Sequence, residues 1–140
     1  MSDMQGYDVL TQAFAAEGVD TMFALLGDAN MHWGAAMAQK QKVRVVHARH
    51  EHCACAMADG YARATGKVGV ASVTCGPGFT QTMTALACAA RGNTPMVVFA
   101  GDSPSNAAWY VQQLDLGPLA LATGARYLAA VKRGDQCRFV

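Results

Sequence analysis

Apolar positions recur along this chain in two rhythms. Within residues 3–17, Val9, Leu10, Ala13 and Phe14 fall at helical spacing on one face, and Gly18 stands where a helix would stop. Thr21 to Leu26 is a short apolar run predicted as a strand. It leads into Gly27-Asp28-Ala29-Asn30, a loop with helix-start chemistry, and a second helix is predicted to about Gln39. Val43 to Val46 reads as a strand, and Glu51 to about Thr65 as an Ala-rich helix closed by Gly66. Val68 to Val73 is the next strand, Gly76-Pro77-Gly78 a turn, Phe79 to Arg91 a helix and Pro95 to Ala100 another strand. Beyond Gly101-Asp102 the pattern loosens, with one or two short helices near Leu116–Thr123 and a short strand near Arg126–Val131.

Short β-rich runs separated by helices of about 10–15 residues indicate βαβ units, hence an α/β fold with an open parallel sheet and helices on both faces. Val68–Val73 and Met96–Ala100 carry apolar residues at successive positions, as strands covered on both sides do. There is no internal repeat, low-complexity tract or linker, so residues 1–140 are expected to form one domain. In such sheets ligands sit beyond the carboxyl ends of the strands. Gly27–Asn30, His47–Glu51 and Cys75–Phe79 occupy that position.

Composition narrows the function. Hydrophobic residues make up 52% of the chain and charged residues 15%, with a net charge of +1. The basic residues are scattered, which argues against nucleic acid or an anionic membrane as the main partner. No apolar run approaches the roughly 18 residues of a membrane span. Residues 1–5 lack a basic segment followed by an apolar one, so a cytoplasmic protein is expected. Cys53, Cys55, Cys75, Cys88 and Cys137 are odd in number and lack framework spacing, and read as reduced thiols used as small hydrophobes.

Three segments could carry chemistry. Gly76-Pro77-Gly78 permits a tight turn and a close approach of backbone to a ligand. It could equally be a plain turn or an anion site at a helix start. It lacks the Lys-Ser/Thr pair of a P-loop and the third glycine of a dinucleotide motif. His47, His50, Glu51, His52, Cys53 and Cys55 crowd together, but their spacing is not that of zinc ligands, and a strand-to-helix junction would fan them apart. For the histidines, loop packing and polar capping is the plainer account. Glu51 falls where a strand has ended and a helix begins. Taken alone, that is a favourable interaction of a carboxylate with the helix dipole.

The residues around Glu51 point further. Arg49-His50-Glu51, then Ala54 and the run Ala56 to Lys67, resemble the signature of the pyrimidine-binding domain of thiamine-diphosphate enzymes of the acetolactate synthase type. That group includes benzaldehyde lyase and the 2-oxo acid decarboxylases. Thr74-Cys75-Gly76-Pro77-Gly78-Phe79-Thr80 is similar to the family's Ser-Gly-Pro-Gly turn, and Pro95–Val98 with Gly101-Asp102 to its next strand and loop. The similarity runs from about residue 7 to residue 131.

The resemblance implies the thiamine-diphosphate-binding fold and a lyase, synthase or decarboxylase acting on 2-oxo acids or aldehydes. It implies that Glu51 hydrogen-bonds the cofactor's pyrimidine nitrogen, so that the exocyclic amine can act as base. A carboxyl enclosed away from water has its charged form disfavoured, while a helix N-terminus pulls the other way. Gly76, Pro77 and Gly78 would pack near the cofactor. Gly27, Asp28, Phe79 and Gln113 would lie on the substrate side, with Gln112, Ala29 and Asn30 beside them, and Phe79 would narrow the site. His32 takes no role. Diphosphate and Mg²⁺ would be held by a separate domain with a Gly-Asp-Gly…Asn motif, which Gly101-Asp102-Ser103 does not match. The active site would then form in a homo-oligomer or with a second chain. The domain is expected to lack its last helix and strand and to leave a sheet edge or apolar patch open.

Several features depart from the family. His52-Cys53 replaces a Gly-Gly or Gly-Ala pair, Leu25-Leu26-Gly27-Asp28 replaces Tyr-Pro-Gly-Gly, and Phe79-Thr80-Gln81 replaces Ala-Thr-Asn. Two other readings stay open: a stand-alone or degenerate subunit that needs a separate diphosphate-binding chain, and an unrelated flavodoxin-like domain in which Glu51 is only a cap.

Overall fold

The computed structural model describes residues 4–104, 106 and 109–131. Helix α1 (Gly6–Ala16) is followed by β1 (Thr21–Ala24), α2 (Met31–Lys40), β2 (Arg44–His47), α3 (Glu51–Thr65) and β3 (Gly69–Val73). Then come α4 (Pro77–Thr80), α5 (Met83–Arg91), β4 (Met96–Ala100) and α6 (Leu116–Ala122). The four strands form one parallel sheet in the order β2-β1-β3-β4. Thr21 pairs with Arg44, Phe23 with Ala71, and Gly69 with Met96.

Alternation along the strands sends side chains to two layers. Met22 and Ala24 of β1 and Val70 of β3 join Leu10, Trp33 and Met37 on the α1/α2 face. Phe23 and Ala71 point the other way, into Ala54, Cys55, Ala58 and Ala85 of α3 and α5. Successive strand residues face opposite sides, so a covered sheet needs apolar residues at both parities. Burying a side chain such as Met22 or Met37, both fully enclosed, contributes about 1.5–3 kcal/mol. The small residues of α3 let it lie close on the sheet. A methyl group on Gly69 would collide with the Ala58 carbonyl, so β3 must begin with glycine.

Helix ends follow the local chemistry. Gly18 (φ +79°) and Gly66 (φ +73°) take the left-handed conformation just past α1 and α3. His50 Nδ1 accepts a hydrogen bond from the His52 N–H at 3.1 Å and caps α3.

Four expectations are corrected. The predicted helix Phe79–Arg91 is two helices. The N–H (2.9 Å) and hydroxyl (2.6 Å) of Thr82 both bond to the Phe79 carbonyl, closing α4 before α5 begins. Only Gly76 of the Gly-Pro-Gly run is a true turn residue, because α4 already starts at Pro77. Residues 126–131 do not join the sheet. Among the described residues, strand β4 is not covered on both sides: it lies at the edge of the sheet, and Val97 on its α1/α2 side is 42% exposed.

Candidate functional site

Strand β1 leads through α2 to β2 on one side of it, and β2 leads through α3 to β3 on the other. The chain therefore changes direction between β1 and β3, and the loops leaving those strands part there. In a doubly wound sheet this is where a ligand crevice opens.

Asn30 closes the floor of the crevice. It occupies the N-cap position of α2, but its side chain makes no cap bond. Buried at 1% exposure, it turns inward instead. Its Oδ1 accepts from the Gly27 N–H at 2.7 Å, and its Nδ2 donates to the Leu25 carbonyl (3.2 Å) and Ser72 Oγ (2.9 Å). One amide thus ties the loop after β1 to the middle of β3. Thr74 continues the seam: its Oγ1 accepts from the Ala29 N–H at 3.4 Å, and a methyl group on Gly27 would lie 2.9 Å from its Cβ. Gly101, at the end of β4, is packed just as tightly on Ala29.

Glu51 is the first residue of α3 and half-buried. Its carboxyl lies beside Gly78: a methyl group there would stand 3.5 Å from Oε1 and 2.7 Å from Thr74 Cγ2. The backbone next to the carboxyl is therefore bare. Its charge also reaches Cys55, whose thiol is pushed up to about 12, chiefly by burial and further by Glu51.

On the other side of the turn, Gly76 has φ +53°, and the Gln112 carbonyl occupies the space a side chain would need. Cys75 Sγ donates to Gln112 Oε1 at 3.2 Å, and the Tyr110 hydroxyl donates to the same oxygen at 3.3 Å. Desolvation, then the neighbouring Cys75 and Asp28 side chains, raise Tyr110 above the ordinary tyrosine value. Segment 109–113 and the loop at Asp28 are thus neighbours.

The expected residues separate into three groups. Gly27 and Gly78 meet at Thr74, with Glu51 beside Gly78, while Gly76 lies against the Gln112 carbonyl. Asp28, Pro77 and Gln113 are exposed around them. Phe79 is not at the rim: 5% exposed, it packs with Val73 and Ala120, so it could narrow the site only through its backbone. His32 is exposed on α2, stacked against Tyr7. Among the described residues, no group of three or more His, Cys, Asp or Glu side chains is placed to hold a metal ion. The thiols divide: Cys55 and Cys75 are buried, Cys53 and Cys88 exposed, and Cys137 lies outside the described residues. Sequence patterns did not single out Tyr110, gave Thr74 only as part of the turn motif, and placed Asn30 in the loop after β1 without its inward role. A hydroxyl residue ahead of a Gly-Pro-Gly run was the available hint.

A cleft of about 310 Å³ lies at the opposite end of the sheet, lined by Asp20, Tyr61 and Lys67 among others. The charged and polar groups of Asp20, Tyr61 and Lys67 are paired with one another. Asp20 accepts from Tyr61 (2.7 Å) and from Lys67.

Residues 4–117 match the family model for the N-terminal thiamine-pyrophosphate-binding domain of thiamine pyrophosphate enzymes. The chain is 38% identical over 100 residues to the chloroplastic acetolactate synthase of Arabidopsis thaliana, covering 71% of this chain and 15% of that protein. It is 39% identical over 104 residues to the mitochondrial acetolactate synthase catalytic subunit of Saccharomyces cerevisiae, covering 74% and 15%. With the Haemophilus influenzae acetolactate synthase large subunit it shares 38% identity over 106 residues, covering 76% and 18%. The chain therefore spans less than a fifth of these relatives. A crystal structure from Mycobacterium smegmatis, assigned as a thiamin diphosphate-dependent enzyme, superposes with a TM-score of 0.76 at 26% identity, over 84% of this chain and 23% of that one.

Proposed function

The chain belongs to the family of N-terminal thiamine-pyrophosphate-binding domains of acetolactate synthase-like enzymes, and from that premise we propose that Glu51 is the residue through which it acts on the cofactor. Residues 1–140 are read as one pyrimidine-binding domain of a lyase, synthase or decarboxylase that uses 2-oxo acids or aldehydes. The observation that carries this is the Glu51 carboxyl set beside the bare backbone of Gly78 at the switch point of the sheet.

The residues fit an aromatic ring with a hydrogen-bonding edge. Gly78 brings bare backbone up to Thr74 beside Oε1, where any side chain would collide. Glu51, at the N-terminus of α3, would hold a proton in a hydrogen bond to the pyrimidine nitrogen. Gly76 and Pro77 shape the neighbouring wall, while Gly27, Asp28 and Gln113 border the substrate side. Thiamine diphosphate, when bound, supplies a thiazolium carbon that becomes nucleophilic on losing its proton.

The described residues do not fit the diphosphate and Mg²⁺. No acidic group converges, and Asp102 Oδ1 is engaged by the Ser103 N–H at 2.7 Å. Both are assigned to a separate diphosphate-binding domain or subunit, within a homo-oligomer. A cytoplasmic setting is part of the proposal; among the described residues no helix is long and apolar enough to cross a membrane.

Calorimetry with thiamine diphosphate and Mg²⁺, together with pyruvate turnover, tests the reading. The chain alone should bind weakly and turn nothing over, and a supplied diphosphate domain should tighten binding. Clear decarboxylation by the chain alone, or identical cofactor binding by Glu51→Gln in the complemented assembly, would refute it.

A further inference from the structure

We propose that Cys75 and Gln112 form a latch that seats the Tyr110–Gln113 segment on the glycine turn, leaving Gln113 as the member of the glutamine pair free for a ligand. Cys75 and Gln112 are then positioning residues of the rim.

Four observations meet here. Cys75 is 1% exposed, yet its thiol donates to an amide oxygen, where a space-filling cysteine would need only apolar neighbours. The Tyr110 hydroxyl donates to that same oxygen, so the amide orientation is fixed with Oε1 toward Cys75 and Nε2 away. The Gln112 carbonyl rests on Gly76, whose missing side chain makes the seat. The Gln113 N–H closes a turn onto the Tyr110 carbonyl at 2.9 Å and ties the two ends of the segment together. A thiol is a weak donor, which makes the latch one that opens locally without unfolding the sheet.

The ligand role of Gln113 rests on the cofactor reading above, whereas the latch is tested without cofactor. The folded chain is treated with iodoacetamide, and each cysteine is followed by peptide mass spectrometry. Exposed Cys53 and Cys88 should react first, and buried Cys55 reports the integrity of the fold. Gln112→Ala should speed labelling of Cys75 about fivefold, the loss of one neutral hydrogen bond, with Cys55 still protected. Unchanged Cys75 labelling with Cys55 protected overturns the latch. If Gln112→Ala also exposes Cys55, amide exchange at Gln113 decides between Cys75→Ala and Cys75→Ser. Alanine should speed exchange about fivefold, and serine, which keeps a donor, should restore the parent rate. Equal rates in the two variants, or unfolding of both, make Cys75 a packing residue and overturn the proposal. Failure to bind thiamine diphosphate would leave these results unaffected.

Discussion

Gly78 stands directly against Glu51: a methyl group on the glycine would lie 3.5 Å from the carboxyl oxygen Oε1. The two are 27 positions apart in the sequence, one opening α3 and the other within α4. Their contact joins the loop after β2 to the loop after β3.

Gly78→Ala should destabilise the domain by about 1–3 kcal/mol, because the new methyl group meets Thr74 Cγ2 at 2.7 Å in a packed seam. Gly60→Ala is the contrasting case. It lies in the exposed interior of α3 with nothing within 4 Å, and should stabilise by about 0.5–1 kcal/mol. Urea denaturation of both variants checks the opposite signs. Two shifts in the same direction would show that the seam is not tight.

Glu51→Gln should cost only about 0.3–1 kcal/mol, the loss of a charge at a helix N-terminus capped by His50. In the complete enzyme the same change should slow exchange of the thiazolium proton by about 10²–10⁴, as loss of a proton-transferring group does. Proton NMR of bound cofactor reads the rate. A normal exchange rate would reduce Glu51 to a helix-end charge.

Asn30→Ala should cost about 2–4 kcal/mol, because it strands the half-buried Gly27 N–H and Leu25 carbonyl together with the buried Ser72 hydroxyl. Ser72→Ala removes a single partner and should cost about 1 kcal/mol. Thermal melts of the two variants give the ranking, and an equal loss would mean that the amide is not the tie between the loops.

Asp20 is held at about 2, below its ordinary 3.8, chiefly by the Lys67 hydrogen bond and then by Tyr61. A folded-state value below the unfolded one means stability that is fully present above the unfolded pKa and lost as pH falls through the folded one. Melting temperatures followed from about pH 5 to pH 2 should therefore fall more steeply in the parent than in Asp20→Asn, mostly between about pH 4 and pH 2. Solvent exposure of the pair keeps the effect small. Parallel profiles would remove Asp20 from the acid response.

Much of the fold is legible in local pattern. Runs such as Thr21–Ala24 and Gly69–Val73 carry β-forming residues between glycines and loops, and Gly18 and Gly66 mark helix ends through a backbone conformation that glycine takes without strain. The position of Glu51 at a strand end and helix start is equally local. These features depend on neighbours within a few residues, so a linear reading reaches them.

What tertiary structure decided depends on partners far along the chain. Asn30 had the chemistry of an N-cap, but burial beside Ser72 recruited its amide as a tie between strands. Phe79 read as a rim residue until Val73 and Ala120 enclosed its ring. The helix over 79–91 broke because the fully buried hydroxyl of Thr82 closed onto the Phe79 carbonyl. β4 has the apolar run of a central strand, yet among the described residues it lies at the edge of the sheet. Of the two glutamines it was Gln112 that met Cys75, since its carbonyl fits over Gly76. Periodicity records which side of an element is apolar. Which group arrives at that side is decided by packing, where excluded volume and unsatisfied hydrogen bonds select one arrangement from the many that the pattern allows.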